Sequence, residues 1–429
     1  MRRQQRSDII EQYAEDAAFL WSLRDAATDQ PHYALRHLAT LEQRIEARLD
    51  GLRVAGEAGF AAAWTQLSRV PGAGEVFAAT VLSLESRRAA LIEELLALVE
   101  SAPGSERGLL GALGWVSPDV LRGRVLAWLH APHSFGRFVG VAACSAHRAD
   151  PGARLEALLD DEPLVRARAL RLVGELGRVD LRAVLHAAVA GGDGVCGFWA
   201  AWSLGLLGDR GSAVQILQPH VVDESAFRWR ALDLLPRLME REAAFAWLRA
   251  LGEDDRNARL LITAVGAFGD PAAVPWLIQK MRVPALARVA GESFSMITGV
   301  ECSDADLEGS PPEELTFGPT DDPADDNVAI DPDENLPWPD PNKVGTWWQG
   351  QEQRFAQGVR HLRGRPLSRD VCGDVLRNGY QRHRRAAAHE LALVNPGRPL
   401  WNWRARSQVQ QRDTQVHDGA RLRSPGGSG

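Results

Sequence analysis

One acidic segment of the chain has the residue types that bind calcium. Asp304, Asp306, Glu308 and Gly309 match positions 1, 3, 5 and 6 of an EF-hand loop, whose side-chain oxygens hold the ion. Position 12 of such a loop should be glutamate, but it is Leu315 here, and two consecutive prolines interrupt the helix that should follow. We therefore interpret this segment as a solvated acidic loop and expect no metal there.

A second group of possible metal ligands comprises His130, His133, Cys144 and His147, but their spacing matches no standard zinc site. We interpret the histidines as turn residues. The chain also lacks a phosphate-binding glycine loop, a G-x-S-x-G serine motif, an H-E-x-x-H zinc motif and a dinucleotide-binding G-x-G-x-x-G after a strand. We expect no catalytic residue, no cofactor and no metal.

Tryptophan and arginine are the remaining residue types with a clear chemical use. The chain has 14 tryptophans, and buried aromatic and arginine side chains dominate the binding energy of protein interfaces. The partner-binding candidates are Trp199, Trp202, Trp229, Arg230, Trp276, Trp338, Trp347 and Trp348. The alternative for the tryptophans among residues 101–300 is packing in a helical core, and we favour it for the first three.

The composition is that of a globular protein. The chain has 429 residues, 45% apolar and 24% charged, with a net charge of −7, which argues against general nucleic-acid binding. Four cysteines without a C-x-x-C pair argue against a disulfide framework. No apolar run reaches the ~18–20 residues needed to span a bilayer. We expect a reduced, cytoplasmic protein with no membrane contact.

A small-x-x-small step recurs through the middle of the chain, near the end of successive apolar helical segments. The steps are Gly111 to Gly114, Ala143 to Ala146, Gly174 to Gly177, Gly205 to Gly208, Pro236 to Met239 and Gly266 to Gly269. Their last positions are 32, 31, 31, 31 and 30 residues apart. Such regular spacing indicates a repeat of one supersecondary unit.

Each repeat has a similar internal order. A first helix precedes the small step, and an aspartate often follows it, as at Asp180, Asp209 and Asp270. An aspartate suits an N-cap or a turn before a second amphipathic helix. The glycines allow two helices to approach closely and allow the chain to leave the first helix. We find no convincing β-strand, and the pattern predicts an all-α fold.

This pattern resembles HEAT repeats of the armadillo class. The resemblance is carried by Leu207-Gly-Asp209 and by residues 268–277, which look like a HEAT turn and second helix, and it covers roughly residues 102–300. It implies an α-solenoid of about six helical hairpins with a curved binding surface. Pro236 and Met239 depart from the pattern, and we expect a local kink there.

The flanks of the array differ from it in composition and charge. We predict a helical N-terminal cap over 1–100, the array over 101–300, an acidic proline-rich strap over 301–342, a small basic helical region over 343–407 and a disordered tail over 408–429. Residues 301–340 contain 14 acidic residues and no lysine or arginine, whereas residues 341–429 contain 16 basic and 6 acidic residues. The positive C-terminal region could attract the strap or an acidic partner.

The whole layout looks like an uncharacterised proteobacterial HEAT-repeat family whose genes often neighbour type VI secretion clusters. That resemblance implies a non-enzymatic scaffold or adaptor with a protein partner, and it provides no catalytic residue. We expect no nucleic-acid and no small-molecule partner. The alternatives are a nucleic-acid-processing HEAT enzyme that flips a base onto aromatic residues, a HEAT-type lyase, or a structural tether. A further alternative is that the strap folds back across the concave face and occludes it.

Overall fold

The fold was analysed in a computed structural model, which describes residues 2–192, 194–312 and 331–422. The protein is mostly helical, with 72% of the described residues in helices, and the predicted all-α class is confirmed. It divides into two compact units. Unit 1 comprises residues 1–203 and 397–429, and unit 2 comprises residues 204–396.

The described residues form 23 α-helices, short 3-10 turns and one hairpin. The first helices along the chain are α1 (Arg2–Ala27), α2 (Leu35–Ala55), α3 (Glu57–Arg69), α4 (Ala73–Glu85), α5 (Ala89–Ser101), α6 (Glu106–Trp115), α7 (Pro118–Leu121), α8 (Arg124–Leu129), α9 (Ser134–His147), α10 (Ala153–Leu158), α11 (Pro163–Leu176) and α12 (Arg182–Ala190). They are followed by α13 (Gly194–Leu206), α14 (Arg210–Val222), α15 (Arg228–Leu238), α16 (Arg241–Leu251), α17 (Ala258–Phe268), α18 (Val274–Lys280), α19 (Pro284–Thr298), α20 (Pro341–Gln351), α21 (Arg369–Asn378), α22 (Gln381–Val394) and α23 (Ser407–Leu422).

A single cluster of buried side chains extends from α1 to α9 in unit 1. Trp21 of α1 stacks on Phe77 of α4 with ring centroids 4.8 Å apart, and Trp115 of α6 meets Phe77 edge-on at 5.2 Å. These aromatic pairs add to the apolar area that the helices bury. The core is therefore continuous across the predicted boundary between residues 100 and 101.

The small-x-x-small steps lie at the C-terminal ends of α6, α9, α11, α13, α15 and α17. Within unit 1, α6 packs on α9 and α9 on α11; within unit 2, α15 packs on α17 and α17 on α19. We call α6, α9, α11, α13, α15, α17 and α19 the first helices, meaning the first helix of each repeat. They are consecutive at the repeat spacing, so the phased pattern located one helix of each pair.

The same glycine–serine contact recurs between first helices in both units. A Cβ atom on Gly174 would lie 2.5 Å from Ser203 Oγ, and one on Gly266 would lie 2.7 Å from Ser293 Oγ. Ser203 Oγ donates a hydrogen bond to the carbonyl of Leu170 at 2.8 Å, and Ser293 Oγ donates to that of Ile262 at 2.9 Å. Each carbonyl lies four residues before its glycine, so the glycine permits the approach that makes the hydrogen bond possible.

The last glycine of a step allows the chain to leave the first helix. Gly177, Gly208 and Gly269 have φ angles of +73°, +91° and +82°, in the left-handed region that glycine adopts without steric cost. Met239 occupies this position after α15 and is instead extended, with φ −81° and ψ 142°. The helix continues through Pro236 to Leu238, so the departure from the pattern changes how the helix ends.

Unit 2 contains a two-stranded antiparallel hairpin, β1 (His361–Leu362) and β2 (Arg365–Pro366). The expectation of no strand was wrong at this place. The turn residues Arg363 and Gly364 have φ angles of +49° and +78°, the pattern of a tight two-residue hairpin turn. Strands of two residues are too short to produce an alternating apolar pattern, which is why the sequence did not reveal them.

The hairpin region satisfies carbonyl groups at the ends of two first helices in unit 2. The backbone N–H of His361 donates to the carbonyl of Gly269 after α17 at 2.7 Å, and Arg360 Nε donates to that of Phe268 at 2.6 Å. Arg363 N and Gly364 N donate to carbonyls of α19, each at 2.9 Å. The last carbonyls of a helix have no partner within it, so these bonds complete the helix ends.

The chain beyond residue 397 does the same for first helices of unit 1. The N–H of Leu400 donates to the carbonyl of Glu175 in α11 at 2.9 Å. Asn402 Nδ2 donates to the carbonyl of Ala146 in α9, and Arg406 Nη1 to that of Trp115 in α6, both at 3.0 Å. The region predicted as one small helical piece over 343–407 is therefore divided between the units at residue 396.

The structure also differs from the disordered tail predicted from residue 408. Helix α23 begins at Ser407, and Ser407 and Gln410 are buried. The backbone N–H and the hydroxyl of Ser407 both donate to Glu42 Oε2, at 2.8 and 2.6 Å. The polar composition suggested disorder, but a buried carboxylate on α2 supplies the contacts that hold the first turn of α23.

The acidic strap is packed at its two described ends, whereas residues 313–330 lie outside the described part of the chain. Cys302, Leu307 and Asp333 are buried, and residues 308 and 339 form a backbone bridge. Asp331 is ion-paired with Arg288 of α19. These ends belong to the core of unit 2, whereas the sequence predicted an extended linker. A deletion of the strap, residues 301–340, would therefore remove buried residues of the unit 2 core.

The glycine–serine contact predicts a loss of stability for Gly266→Ala. The added Cβ would lie 3.0 Å from the Cα of Ser293, so backbone must shift at a cost of about 1–3 kcal/mol. The matched control is Gly350→Ala in α20, where no atom lies within 4 Å of the new Cβ and alanine should stabilise by up to ~1 kcal/mol. Urea unfolding measures both, and equal stability of the two variants would contradict the packing described.

Candidate functional site

The two candidate tryptophans of unit 1 lie together on α13 and are buried. Trp199 and Trp202 are 9% and 5% exposed, with ring centroids 5.6 Å apart in an edge-on arrangement. The guanidinium of Arg171 lies 4.6 Å from the centre of the Trp199 ring, a distance typical of a cation–π contact. Both tryptophans pack within unit 1, as the core alternative predicted.

Trp229 differs from them, because 55% of its surface is exposed at the first turn of α15 in unit 2. The neighbouring Arg230 is also exposed. Core packing was predicted for Trp229 as for the other two tryptophans, and that prediction was wrong for this residue. An exposed indole beside a guanidinium combines the two side-chain types that most often anchor a protein interface.

The remaining candidates are in unit 2 and are held by local partners. Trp276 is half-buried with Lys280 over its ring at 5.4 Å, and Trp338 is half-buried with Arg288 over its ring at 5.3 Å. Trp347 is half-buried and meets Phe294 edge-on. Trp348 is 7% exposed and packs on Phe355. These residues are scattered along unit 2, and their rings are engaged within it.

A cluster of charged side chains in unit 1 surrounds Glu175, which lies in the last turn of α11. Glu175 is 2% exposed, and three arginines point to its carboxylate. The contacts are 2.9 Å from Arg171 Nε, 3.3 Å from Arg168 Nη1 and 3.6 Å from Arg148 Nη1. Ser145 Oγ donates a fourth contact at 2.5 Å. We call these residues the Glu175 cluster.

The pKa values in this cluster reflect the excess of positive charge. Burial alone would raise the pKa of Glu175, but the three arginines and the Ser145 hydroxyl hold it well below its usual range. Burial lowers the pKa of Arg168 to about 10; Glu175 opposes this shift, and Arg171 and Arg148 add to it. The carboxylate is therefore ionised at neutral pH, and the guanidinium groups repel one another.

A second ionic cluster lies on α22 in unit 2. Glu390 is 2% exposed and ion-paired with Arg237 of α15 at 2.9 Å and with Arg360 before the hairpin. Burial opposes its ionisation, but Arg360 and Arg237 hold its pKa below the ordinary value. Arg385 on the same helix pairs with Asp233 of α15 at 3.0 Å. These pairs connect α22 to a first helix.

At the N-terminal end of α22, Arg382 lies between two carboxylates, Glu292 of α19 and Glu301 of the strap. Burial raises the pKa of Glu292 to about 7, and the Glu301 carboxylate adds to this effect against the charge of Arg382. His383 is fully buried, and burial together with Arg382 and Arg363 lowers its pKa well below the ordinary value. Near neutral pH, Glu292 can therefore exchange a proton while His383 stays neutral.

Each unit also contains a surface depression. A groove of about 1110 Å³ in unit 1 is lined by residues of α5, α7, α8 and the adjoining turns, including Arg87, Arg122, Arg124, Trp128 and His133. A smaller depression of about 240 Å³ in unit 2 is lined by the hairpin arginines and by Asp374 and Asn378.

Two further findings bear on the expected chemistry. Within residues 2–192, 194–312 and 331–422, no group of three or more histidine, cysteine, aspartate or glutamate side chains is arranged to hold a metal ion. In the same described ranges, no helix combines the length and apolar character required to cross a membrane. Asp209 and Asp270 cap the elements that follow them, as predicted.

Comparison of the chain with protein-family models, with curated proteins and with solved structures found no match.

The different burial of two tryptophans predicts different effects of removing them. Trp199→Ala removes a buried ring and should lower the free energy of unfolding by about 3–5 kcal/mol. Trp229→Ala removes a ring that is 55% exposed and should cost less than ~1 kcal/mol. Denaturant unfolding of both variants measures the difference. A similar loss in both would show that Trp229 is a packing residue.

The raised pKa of Glu292 predicts a pH-dependent stability. The folded protein binds this proton up to about pH 7, whereas the unfolded chain releases it near 4.5, so the stabilising contribution is complete below 4.5 and is lost as the pH rises to 7. The unfolding free energy of the wild type relative to Glu292→Gln should fall by on the order of 1–3 kcal/mol over this interval.

The control for that experiment is Glu253→Gln, because Glu253 is an exposed carboxylate in the same unit. This variant makes the same chemical change at a solvent-exposed position, so it is the reference for the effect of a Glu→Gln substitution in this unit. A constant difference for Glu292→Gln would mean that Glu292 ionises in the folded protein as it does in the unfolded chain.

Proposed function

We propose that the protein is a non-enzymatic scaffold or adaptor that binds a protein partner on the surface of a HEAT-type α-solenoid of about six helical hairpins. The proposal is supported by the repeated arrangement of first helices in each unit and by the recurring glycine–serine contact between them. Stacked helical pairs of this kind build extended surfaces, and function in repeat proteins usually lies on such a surface.

The exposure of Trp229 is the observation that carries the proposal. Leaving an indole in water costs about 25 cal/mol for each Å² of apolar surface, and the other candidate tryptophans are buried or half-buried. Trp229 lies at the start of α15 with Arg230 beside it. A partner that covered this pair would bury the apolar surface of the indole.

The ionic contacts of α22 favour a rigid binding surface at this position. Arg385 pairs with Asp233, which lies one helical turn after Arg230 on α15, and Arg237 further along α15 pairs with the buried Glu390. A helix held at two points loses little conformational freedom when a partner binds. Preorganisation of this kind increases affinity because less entropy is lost on association.

The nature of the partner is part of the proposal. Tryptophan and arginine anchors suit a protein surface, and the layout of the chain, which resembles a family linked to type VI secretion loci, makes a component or effector of a secretion system the partner that we propose. A cytoplasmic site of action accompanies this proposal. The alternative of a nucleic-acid-processing enzyme requires a base-flipping surface with net positive charge.

The test is capture of binding proteins from the native cell with the full chain, followed by mass spectrometry and by affinity measurement with each purified candidate. Trp229→Ala and Arg230→Ala should each weaken binding of the specific partner by about 30-fold or more, the effect of an interface hot spot. The matched control is Val54→Ala, because Val54 is an apolar residue that is 89% exposed on α2 in unit 1, and its binding should not change.

A partner that binds all three variants equally would contradict the proposed surface. A salt-sensitive shift of a DNA probe by the wild-type protein, abolished in Trp229→Ala, would favour the nucleic-acid alternative. The two outcomes are distinct, because the first concerns a purified protein ligand and the second concerns DNA alone.

A further inference from the structure

We propose that the Glu175 cluster in unit 1 is a binding site for an oxyanion, a carboxylate or phosphate group that would be held by Arg168 and Arg171. The inference is independent of the proposed scaffold function, because it concerns a different unit of the chain from the Trp229 surface and would hold for a protein of another activity. Three observations support it: the charge balance, the hydrogen-bond donors and the geometry.

The charge balance of the cluster is uneven. Arg148, Arg168 and Arg171 surround the single carboxylate of Glu175, so three positive charges meet one negative charge. Their side chains are only 17%, 12% and 31% exposed, respectively. Solvent therefore screens the excess charge poorly, and a second anion would be attracted to the cluster.

The hydrogen-bond donors of Arg168 are also largely unused. Its one hydrogen bond among the described residues is the contact of Nη1 with Glu175 Oε2 at 3.3 Å. A guanidinium has five N–H donors, so most of those on Arg168 have no protein acceptor among the described residues. By contrast, the similarly buried Arg137 makes bonds of 2.7 and 2.8 Å to Asp161 and donates to two backbone carbonyls.

The geometry places the unused donors of two arginines on one helix face. Arg168 and Arg171 are three residues apart on α11 and therefore lie on the same side of the helix. Arg171 Nε donates to Glu175, and the face of its guanidinium rests on the Trp199 ring. Both Nη groups of Arg171 remain without an acceptor among the described residues, and its 31% exposure leaves them accessible.

The rest of the cluster holds these donors in place. Arg148 donates to the carbonyls of Leu400 and Ser145 as well as facing Glu175, so its position is set by the C-terminal chain. The Ser145 hydroxyl orients the carboxylate. The Glu175 carboxylate therefore attracts all three guanidinium groups and keeps them close together. A planar fork of guanidinium donors fits the paired oxygens of a carboxylate or a phosphate.

The test uses the full chain and inorganic phosphate at constant ionic strength. Phosphate should raise the thermal unfolding midpoint in a saturable way, because a ligand that binds only the folded state stabilises it. Arg168→Gln and Arg171→Gln should each weaken phosphate binding about tenfold or more, the effect of losing a charged hydrogen-bond donor. Isothermal titration calorimetry gives the binding constant independently of stability.

The matched control is Arg178→Gln. Arg178 has the same 17% exposure as Arg148, but it is surrounded by three carboxylates, Asp150, Glu156 and Asp180. This variant should bind phosphate like the wild type. In phosphate-free buffer, a purely structural role for Arg168 predicts that Arg168→Gln has a lower thermal unfolding midpoint than the wild type. The proposed excess of positive charge predicts an unchanged or higher midpoint.

A second arm replaces phosphate with a triglutamate peptide of blocked ends, which distinguishes the two sources of oxyanion. Binding of either probe that depends on Arg168 and Arg171 supports the site and identifies which group it accepts. The proposal is overturned if neither probe binds, or if binding persists unchanged in Arg168→Gln. Because the readout does not involve Trp229, failure here would leave the scaffold proposal standing.

Discussion

The carbonyl groups at the C-terminal ends of the first helices impose the constraint on which the rest of the structure depends. A helix leaves its last four carbonyls without partners inside it, and in each unit the chain from beyond residue 359 supplies donors to them. Arg406 reaches Trp115 across 291 positions of sequence. Closing loops of this length costs entropy, so each unit is completed only when the C-terminal chain has docked.

This arrangement explains how the positive charge of the C-terminal region is used. The positive C-terminal region is used inside the units, where Arg404 pairs with Asp25 and Asp29 of unit 1 and Arg382 pairs with Glu301 at the start of the strap. The attraction between the C-terminal region and the strap was one of the two uses that the sequence suggested. Arginine suits these positions because its fork can bond a carboxylate and a backbone carbonyl at once.

The candidate site was predictable in residue type but not in exposure. The sequence proposed both Trp199 and Trp229 as candidates and assigned both to the core, but Trp199 is buried and Trp229 is 55% exposed. Periodicity reports the face of a helix, and burial depends on what the neighbouring elements cover. Spacing places Arg168, Arg171 and Glu175 on one face of α11, but it does not reveal Ser145 and Arg148, which reach the cluster from α9 and its C-cap.

By itself, the sequence determined the helical class, the ends of the repeated first helices and the position of the capping aspartates. These features follow from local rules, since glycine, aspartate and apolar periodicity act over a few residues. Only the tertiary structure decided that the C-terminal region is shared by the two units, that the ends of the strap are packed and that Ser407 begins a helix. Each of those outcomes depends on a partner far away in the chain, such as Glu42 for Ser407, and no local pattern records such a partner.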